Sequence, residues 1–491
     1  MKEPTLRHRS GRAARVALLV YNDAHADSRV LKTAHSLREA GAQVTILAVA
    51  RAHLGYPPTT ERLPNGVELV RVPEPAFITW VPRLKRTLTR AKALLKTRRR
   101  TPPPPPPAES RVVTDRRAVA GPPPPADSPL TAESSAPAVA SPRPQLRNAL
   151  LARLLDPVDR LARTLILVHY WTMVVREGGR RLPDVVHAND GNTLLPGRLI
   201  ARRTGARLLY DSHELWRHRN VRNRPVGRHV EALIERWVVS RADGVITVSP
   251  SIARWLQRTY RLREQPTLVR NIPAAGQQVT PDQGRLRQLA GLTAEDQVIA
   301  YGGRITTSRG IEETIAALGG LPAHVHLVVL GYGDAGYLAT LQRQAEEAGV
   351  GDRVHFVGKV APHEVAGALA DADLSVVFVR PTCLSYEYSL PNKLFEAIHA
   401  GLPVAAADLP DTREIVERYG VGEIFDLVRP DDDGEVPPSA TDAEAAAMAG
   451  TISRILAAPE RYREAARAAA GELTWQHEEQ ALLGLYRRLL A

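Results

Sequence analysis

Ser389-Leu-Pro-Asn-Lys-Leu-Phe-Glu-Ala-Ile-His-Ala-Gly-Leu-Pro-Val404 is the stretch on which the reading of this chain turns. Pro391 suits the first turn of a helix, and Gly401-Leu-Pro403 ends one. An apolar run, Val404-Ala-Ala-Ala407, follows at once and reads as a buried strand, while Glu396 lies inside the helix. Upstream, after another apolar run, come Gly302-Gly303-Arg304 and a second arginine, Arg309. Strand-helix-strand alternation of this kind builds an open parallel sheet. Anions bind such sheets beyond the carboxyl ends of the strands, at helix N-termini.

The same rhythm extends in both directions. Strands are read at 16–21, 43–49, 67–72, 184–187, 207–211 and 244–248, with helices over 28–40, 192–204 and 230–241. Ser249-Pro250-Ser251 caps a further helix, serine supplying the cap oxygen and proline the first turn. The pattern restarts with strands at 297–301, 325–330, 353–357 and 374–378 and helices over 309–318 and 363–370. The expected architecture is α/β, with two Rossmann-like domains facing each other across a cleft. They divide as 1–272 and 273–473, followed by a helix over 474–491.

One segment breaks the pattern. Residues 101–143 hold Pro102–Pro107 and Pro122–Pro125 among Ala, Ser and Glu, without hydrophobic periodicity. Such a composition buries too little apolar surface to offset chain entropy, so a disordered or polyproline-like insertion is expected there.

Composition sets bounds. The chain has 491 residues, 44% hydrophobic and 24% charged, enough for two or three domains. A single cysteine, Cys383, rules out an intramolecular disulfide and a cysteine-rich metal centre, and suits a cytoplasmic compartment. The longest apolar run, 165–175, is shorter than the ~20 residues that cross a bilayer. Of the net charge of +12, nine positive charges fall between Arg83 and Arg100 with no acid among them. Val81, Leu84, Leu88, Ala91 and Leu95 form an apolar stripe through that basic run. An anionic membrane surface is the leading partner for residues 81–100, with a core-facing helix as the bland reading. A second amphipathic run, 146–175, suits the same surface. Nucleic acid is set aside, because neither aromatic interleaving nor a binding motif accompanies the charge.

The candidate chemistry gathers at strand ends. Arg304 and Arg309 offer two cations for a diphosphate, and Glu396 offers an acceptor-only carboxylate for ribose hydroxyls. Together they make a nucleotide-sugar site; the bland alternative is two surface arginines and a helix-dipole glutamate. With Ile299-Ala-Tyr-Gly-Gly-Arg-Ile-Thr-Thr-Ser-Arg-Gly310 and Pro391-Asn-Lys-Leu-Phe-Glu396, the chain resembles retaining family-4 glycosyltransferases of the GT-B type.

The resemblance implies that Arg304 and Arg309 hold the donor diphosphate and stabilise it as it leaves. Arg309 stands where lysine is usual. It implies that Glu396 accepts the ribose hydroxyls, and that Gly303, Gly331, Gly333, Val360, Leu390, Asn392, Lys393 and Leu394 surround the donor. Its Glu-x7-Glu pattern is broken, because Tyr388 occupies the first position and the neighbouring Glu387 is the substitute. On the acceptor side it implies a role for His213, in Tyr210-Asp-Ser-His-Glu214, near the sugar. It also implies that Asp190, Asn22, Asp23 and Arg29 line the opposite wall.

Asp371-Ala-Asp373 imitates a metal motif of another transferase fold, and Asp431–Asp433 is a loop acid run; no metal and no cofactor are expected. The implied reaction moves a sugar from a UDP- or GDP-linked donor to a carbohydrate or lipid-linked acceptor with retention. The implied setting is cytoplasmic, on the inner face of the plasma membrane, in cell-surface glycan or glycolipid synthesis. Two alternatives stay open. A sugar-nucleotide epimerase would need acid and base carboxylates in the cleft, and a membrane-bound scaffold would carry a degenerate site. A Rossmann dehydrogenase is disfavoured, because no Gly-x-Gly-x-x-Gly with a downstream acid follows the first strand.

Overall fold

A computed structural model describes residues 6–25, 27–75, 143–219, 225–275, 282, 284–428 and 442–491. The basic stretch 81–100, the proline-rich residues 101–142 and Asp431–Asp433 lie outside the described residues. Met1–Glu74 with His169–Ala491 form one compact unit, and Pro75–Val168 another. The second is described only through the leading part of a helix.

The strands, in chain order, are β1 Arg15–Leu19, β2 Gln43–Val49, β3 Thr59–Arg62, β4 Glu68–Val72, β5 Val185–Asn189, β6 Arg207–Ser212, β7 Gly244–Thr247, β8 Thr267–Leu268, β9 Gln297–Ile305, β10 Val325–Gly333, β11 Val354–Phe356, β12 Leu374–Val377, β13 Val404–Ala407 and β14 Gly422–Phe425. The helices are α1 Ser28–Glu39, α2 Arg143–Arg181, α3 Gly191–Thr204, α4 Pro225–Val239, α5 Pro250–Tyr260, α6 Leu286–Ala290, α7 Ile311–Leu318, α8 Ala335–Glu347, α9 Val365–Leu369, α10 Leu384–Glu387, α11 Asn392–His399, α12 Pro410–Tyr419, α13 Asp442–Ala457, α14 Pro459–Glu472 and α15 Trp475–Leu490.

The strands form two sheets, ordered β3-β4-β2-β1-β5-β6-β7-β8 and β11-β10-β9-β12-β13-β14. Among the described residues, all pairings between these strands are parallel except β3 with β4, an antiparallel edge that the sequence reading passed over. In the first sheet the chain starts at β1, winds outward through β2 and β4, then crosses to β5 on the other side. The second does the same around β9, with β10 and β11 on one side and β12 on the other. Each sheet therefore has a switch point, between β1 and β5 and between β9 and β12, where loops part and leave a crevice. The architecture is the GT-B fold, as the sequence led one to expect.

Several boundaries differ from expectation. β9 continues to Ile305 and β10 to Gly333, past the glycines that read as turns. The two strands run so close that a Cβ on Gly331 would sit 1.8 Å from the carbonyl oxygen of Gly303. Gly331 and Gly333 both serve strand contact, and Gly333 also borders the open space at the strand end. Helix α7 starts at Ile311 rather than Arg309, because Gly310 takes φ 85° at its N-cap. The helix expected over 363–370 splits into a 3-10 turn, Pro362–Glu364, and α9.

Each sheet has its own core. Leu18, Ile46, Val185, Leu209 and Ile246 fill the first, together with Trp475, Leu482, Leu485 and Tyr486 from α15. Trp475 also donates its indole N–H to Ser36 Oγ of α1 at 2.9 Å. The second sheet is covered on both faces, by Ile299, Ile311, Leu327 and Phe378 on one and by Leu394, Phe395, Ile398 and Val404 on the other. Hydrogen bonds join the two halves: Leu215 N donates to Ser385 Oγ (3.1 Å), Ser249 Oγ to Tyr388 O (2.7 Å) and Ser251 Oγ to Asp411 (2.8 Å).

Candidate active site

At the second switch point, Arg304 leaves the end of β9 beside Gly303, whose φ of 126° is open to few residues but glycine. A Cβ there would meet nothing within 4 Å, so the glycine leaves the space beyond the strand clear. Arg304 lines a cavity of about 480 Å³ with Thr306, Thr307, Tyr332, Asp334 and Tyr337. Five residues on, the Arg309 guanidinium lies 4.8 Å over the Tyr386 ring. Its loop is strained, with Ser308 at φ 64°, and the Ser308 carbonyl accepts from Arg380 N at 3.1 Å. Arg380 is itself buried, its guanidinium shared between Glu313 (2.7 Å) and Glu444 (2.5 Å), both buried as well.

Helix α11 supplies the rest. Lys393 Nζ is buried, makes no hydrogen bond to any of the described residues and lies 4.2 Å from the Tyr301 ring centre. Burial, helped by nearby Arg309, lowers it to about 7. Burial raises Glu396 to about 6 against the pull of Lys393 and Lys32. Lys32 comes from α1 of the first sheet, donates to Ile272 O at 2.7 Å and is lowered to about 8, mainly by burial. A carboxylate flanked by a buried, unpartnered ammonium is an arrangement that an anionic, hydroxyl-bearing ligand would complete.

At the first switch point the polar groups are packed around Asp211, at the end of β6. Asp211 is 1% exposed and receives Arg29 bidentately, at 3.0 and 2.7 Å. His187 Nε2 is 3.3 Å from the same carboxylate, and its Nδ1 is 2.8 Å from Tyr486 OH of α15. His213 lies between two acids, with Nδ1 3.4 Å from Asp190 Oδ2 and Nε2 3.5 Å from Asp211 Oδ2. Burial would push its imidazole down, but Asp190 and Asp211 outweigh that and raise it to about 9. Asp190 has φ 61° and ψ 167°, a conformation nearly confined to glycine that costs a side-chain-bearing residue about 1–3 kcal/mol.

The structure thus brings Arg309, Lys393 and Glu396 together, sets Arg304 on the cavity at the end of β9, and places His213 beside Asp190 at the first switch point. Asn392 is exposed at the head of α11, and Glu387 adjoins Tyr386 in α10. Other expected contacts are corrected. Arg29 is 4% exposed and anchors Asp211, so it stands behind the acceptor wall rather than on it. Asn22 and Asp23 turn their own loop, accepting from Ala24 N and His25 N at 2.8 and 2.9 Å. Leu394 and Leu390 are buried in one core cluster of the second sheet, and the Val360 side chain packs against another, which leaves only main-chain atoms of Val360 for a ligand. Gly331 presses on β9, as described above, whereas Gly333 both packs on Ile305 and lines the cavity beside Arg304. Asp371 receives Leu286 N and Arg287 N, and Asp373 receives Arg287 and Arg463, so this pair caps and ties α6. Tyr386 and Lys32 were missed. Lys32 sits three residues after Arg29, on the same helical face, a spacing that could have revealed it.

Comparison with known proteins agrees with this geometry. Residues 296–456 match the family model for glycosyl transferases group 1, and residues 101–271 match that for glycosyltransferase family 4. Between them the two models match well over half of the chain, which belongs to this glycosyltransferase family. Alpha-maltose-1-phosphate synthase of Mycolicibacterium smegmatis is 28% identical over 331 residues, 62% of this chain and 79% of its own length. D-inositol 3-phosphate glycosyltransferase of Xylanimonas cellulosilytica is 27% identical over 322 residues, covering 62% and 71%. Among solved structures, sucrose-phosphate synthase of Thermosynechococcus elongatus superposes with a TM-score of 0.61 at 18% identity, over 97% of this chain and 99% of its own. Anabaena HepE, in complex with UDP and glucose, gives 0.61 at 16%, over 96% and 98%. At such identities these two structures speak for the fold alone. The protein is an enzyme of the glycosyltransferase class.

Proposed function

We propose that the enzyme transfers a sugar from a nucleoside diphosphate donor to an acceptor hydroxyl with retention at the anomeric carbon and without a metal ion. The observation that carries this is that Arg309, Glu396 and a buried Lys393 without a hydrogen-bond partner among the described residues act on one another, with Arg304 on a cavity at the end of β9. Bond cleavage puts negative charge on the departing phosphate, and cations fixed where that charge develops lower the barrier. In this reading Arg304, Arg309 and Lys393 take that charge in place of a metal. Glu396 accepts the ribose hydroxyls. Asp371 and Asp373 are already engaged in holding α6. A UDP- or GDP-linked donor is the expected class, and the binding of UDP by Anabaena HepE supports the former.

The acceptor is proposed to be a carbohydrate or lipid-linked hydroxyl in cell-surface glycan or glycolipid assembly, with the enzyme cytoplasmic at the inner face of the plasma membrane. No helix among the described residues is long and apolar enough to cross a membrane. Attachment would therefore be peripheral, through residues 81–100. The test is a thermal-shift panel of UDP, GDP, ADP, CMP and TDP with their sugars, run beside Arg304→Ala. Stabilisation by one nucleotide that disappears in the variant supports the donor site. A panel with no stabilisation at all overturns it and favours a non-catalytic scaffold.

A further inference from the structure

Asp190 occupies the N-cap position of α3, where an aspartate ordinarily accepts from the first free N–H groups of the helix. Its side chain makes no such bond, and its backbone takes a conformation suited to glycine. The carboxylate faces His213 instead, with Oδ1 3.3 Å from the His213 main-chain N and Oδ2 3.4 Å from ring Nδ1. From the other side Asp211 stands 3.5 Å from Nε2, and Arg29 fixes the position of Asp211. Five ionisable groups face the ring: Asp190 at the start of α3, Asp211 on β6, Arg29 on α1, His187 on β5 and Glu214 in the following loop. Burial keeps His187 down, the opposite of His213, so of the two imidazoles beside Asp211 only one is held charged. Burial, then Asp190, raise the Glu214 carboxyl, which favours its neutral form. Arg29 balances Asp211, and Asp190 is left to balance His213.

We infer that Asp190 is a positioning residue that gives up its helix cap and a relaxed backbone to clamp His213 as an imidazolium on the acceptor wall. His213 then serves sugar transfer as a fixed positive charge, and not as the base that takes the acceptor proton. The inference rests on the proposed transfer reaction. The bond from the anomeric carbon to the phosphate oxygen breaks with its electron pair going to the phosphate. The acceptor oxygen forms the new bond, and its proton passes to the phosphate oxygen. The positive charge of His213 favours the anionic state of the crevice while that proton is in transit.

The experiment is an NMR titration of labelled histidine in the full chain, with His213 assigned by its loss in His213→Gln. The wild-type ring is expected to stay protonated until about pH 9. Asp190→Asn is expected to move that midpoint toward the ordinary histidine range near about 6.5. Its kcat/KM, taken as a ratio to the wild type at each pH, should then fall as pH rises through the lowered midpoint. Asp190→Gly relieves the backbone and so guards against simple misfolding. It should match or exceed the wild-type Tm and yet lose the raised titration. A wild-type His213 that titrates near neutrality, or an Asp190→Asn profile that runs parallel to the wild type's, overturns the inference. Nucleotide-dependent stabilisation is read on the same samples. Its absence in the wild type would count against the donor site, and the titration would stand apart from it.

Discussion

Replacing Arg380 by methionine should be among the costliest single changes in the second domain. The guanidinium is 1% exposed and bonds to two carboxylates, Glu313 and Glu444, that are equally buried. Removing one member of a buried ion cluster leaves uncompensated charge and costs about 3–5 kcal/mol. For a domain of this size each kcal/mol lowers Tm by about 2–4 °C, so a drop of roughly 6–20 °C is expected in calorimetry. The sign of the pH dependence can be worked out. Burial already raises the Glu313 carboxyl, and Arg380 is what opposes it. Without Arg380 the carboxyl rises further, so the folded variant loses stability as pH climbs above the unfolded value. The deficit should therefore be larger at pH 8 than at pH 5. A triple variant, Glu313→Met with Arg380→Met and Glu444→Leu, removes every charge and should recover most of the loss, because apolar replacement of buried ion clusters is often neutral. The bond to the Ser308 carbonyl, next to Arg309, comes from the Arg380 main-chain N–H and survives the substitution, so the single variant should keep its nucleotide affinity below its Tm. A drop under 2 °C, or a triple variant no better than the single one, would refute this account of the cluster.

Donor affinity should pass through a maximum between about pH 6 and 7, measured by calorimetric titration. Glu396 must be ionised to accept hydroxyls and gains that charge above about 6, whereas Lys393 loses its charge above about 7. Glu396→Gln should abolish the acid limb and leave the alkaline one. Arg309→Ala should weaken donor binding by roughly tenfold or more, the scale of one lost charge-assisted hydrogen bond. Gly191→Ala should express poorly, since its Cβ would fall 1.8 Å from Trp216 Cδ2, and a soluble, stable variant would contradict that packing.

Periodicity carried most of the fold. The run Val404–Ala407 and its partners read as buried strands because parallel strands covered on both faces are apolar throughout. The strand ends were harder. Gly302-Gly303 and Gly331-Tyr-Gly333 carry turn-forming residues, yet both strands continue, and at Gly331 and Gly333 the lack of a Cβ is what lets β10 lie so close to β9. Arg304, Arg309 and Glu396 were legible because a local pattern sets them at strand and helix ends. The groups that tune them were not. Arg380 lies 67 residues from Glu313, Arg29 lies 182 from Asp211, and His187 lies 299 from Tyr486. Such pairings are made by topology, and no local spacing announces them. The side chains of Leu390 and Leu394 show the converse, since a motif placed near a ligand still sends its apolar members into the core.

The packing of α15 into the first sheet has a consequence for the order of synthesis. β1 to β8 leave the ribosome about 200 residues before Trp475, Leu482, Leu485 and Tyr486 can join their core. At about 5–20 residues per second, the nascent first half waits roughly 10–40 s with an apolar trough open and His187 lacking its tyrosine. The second half is complete earlier in every structural sense, though it is made later. Chaperone dependence during translation should therefore track the half that emerges first.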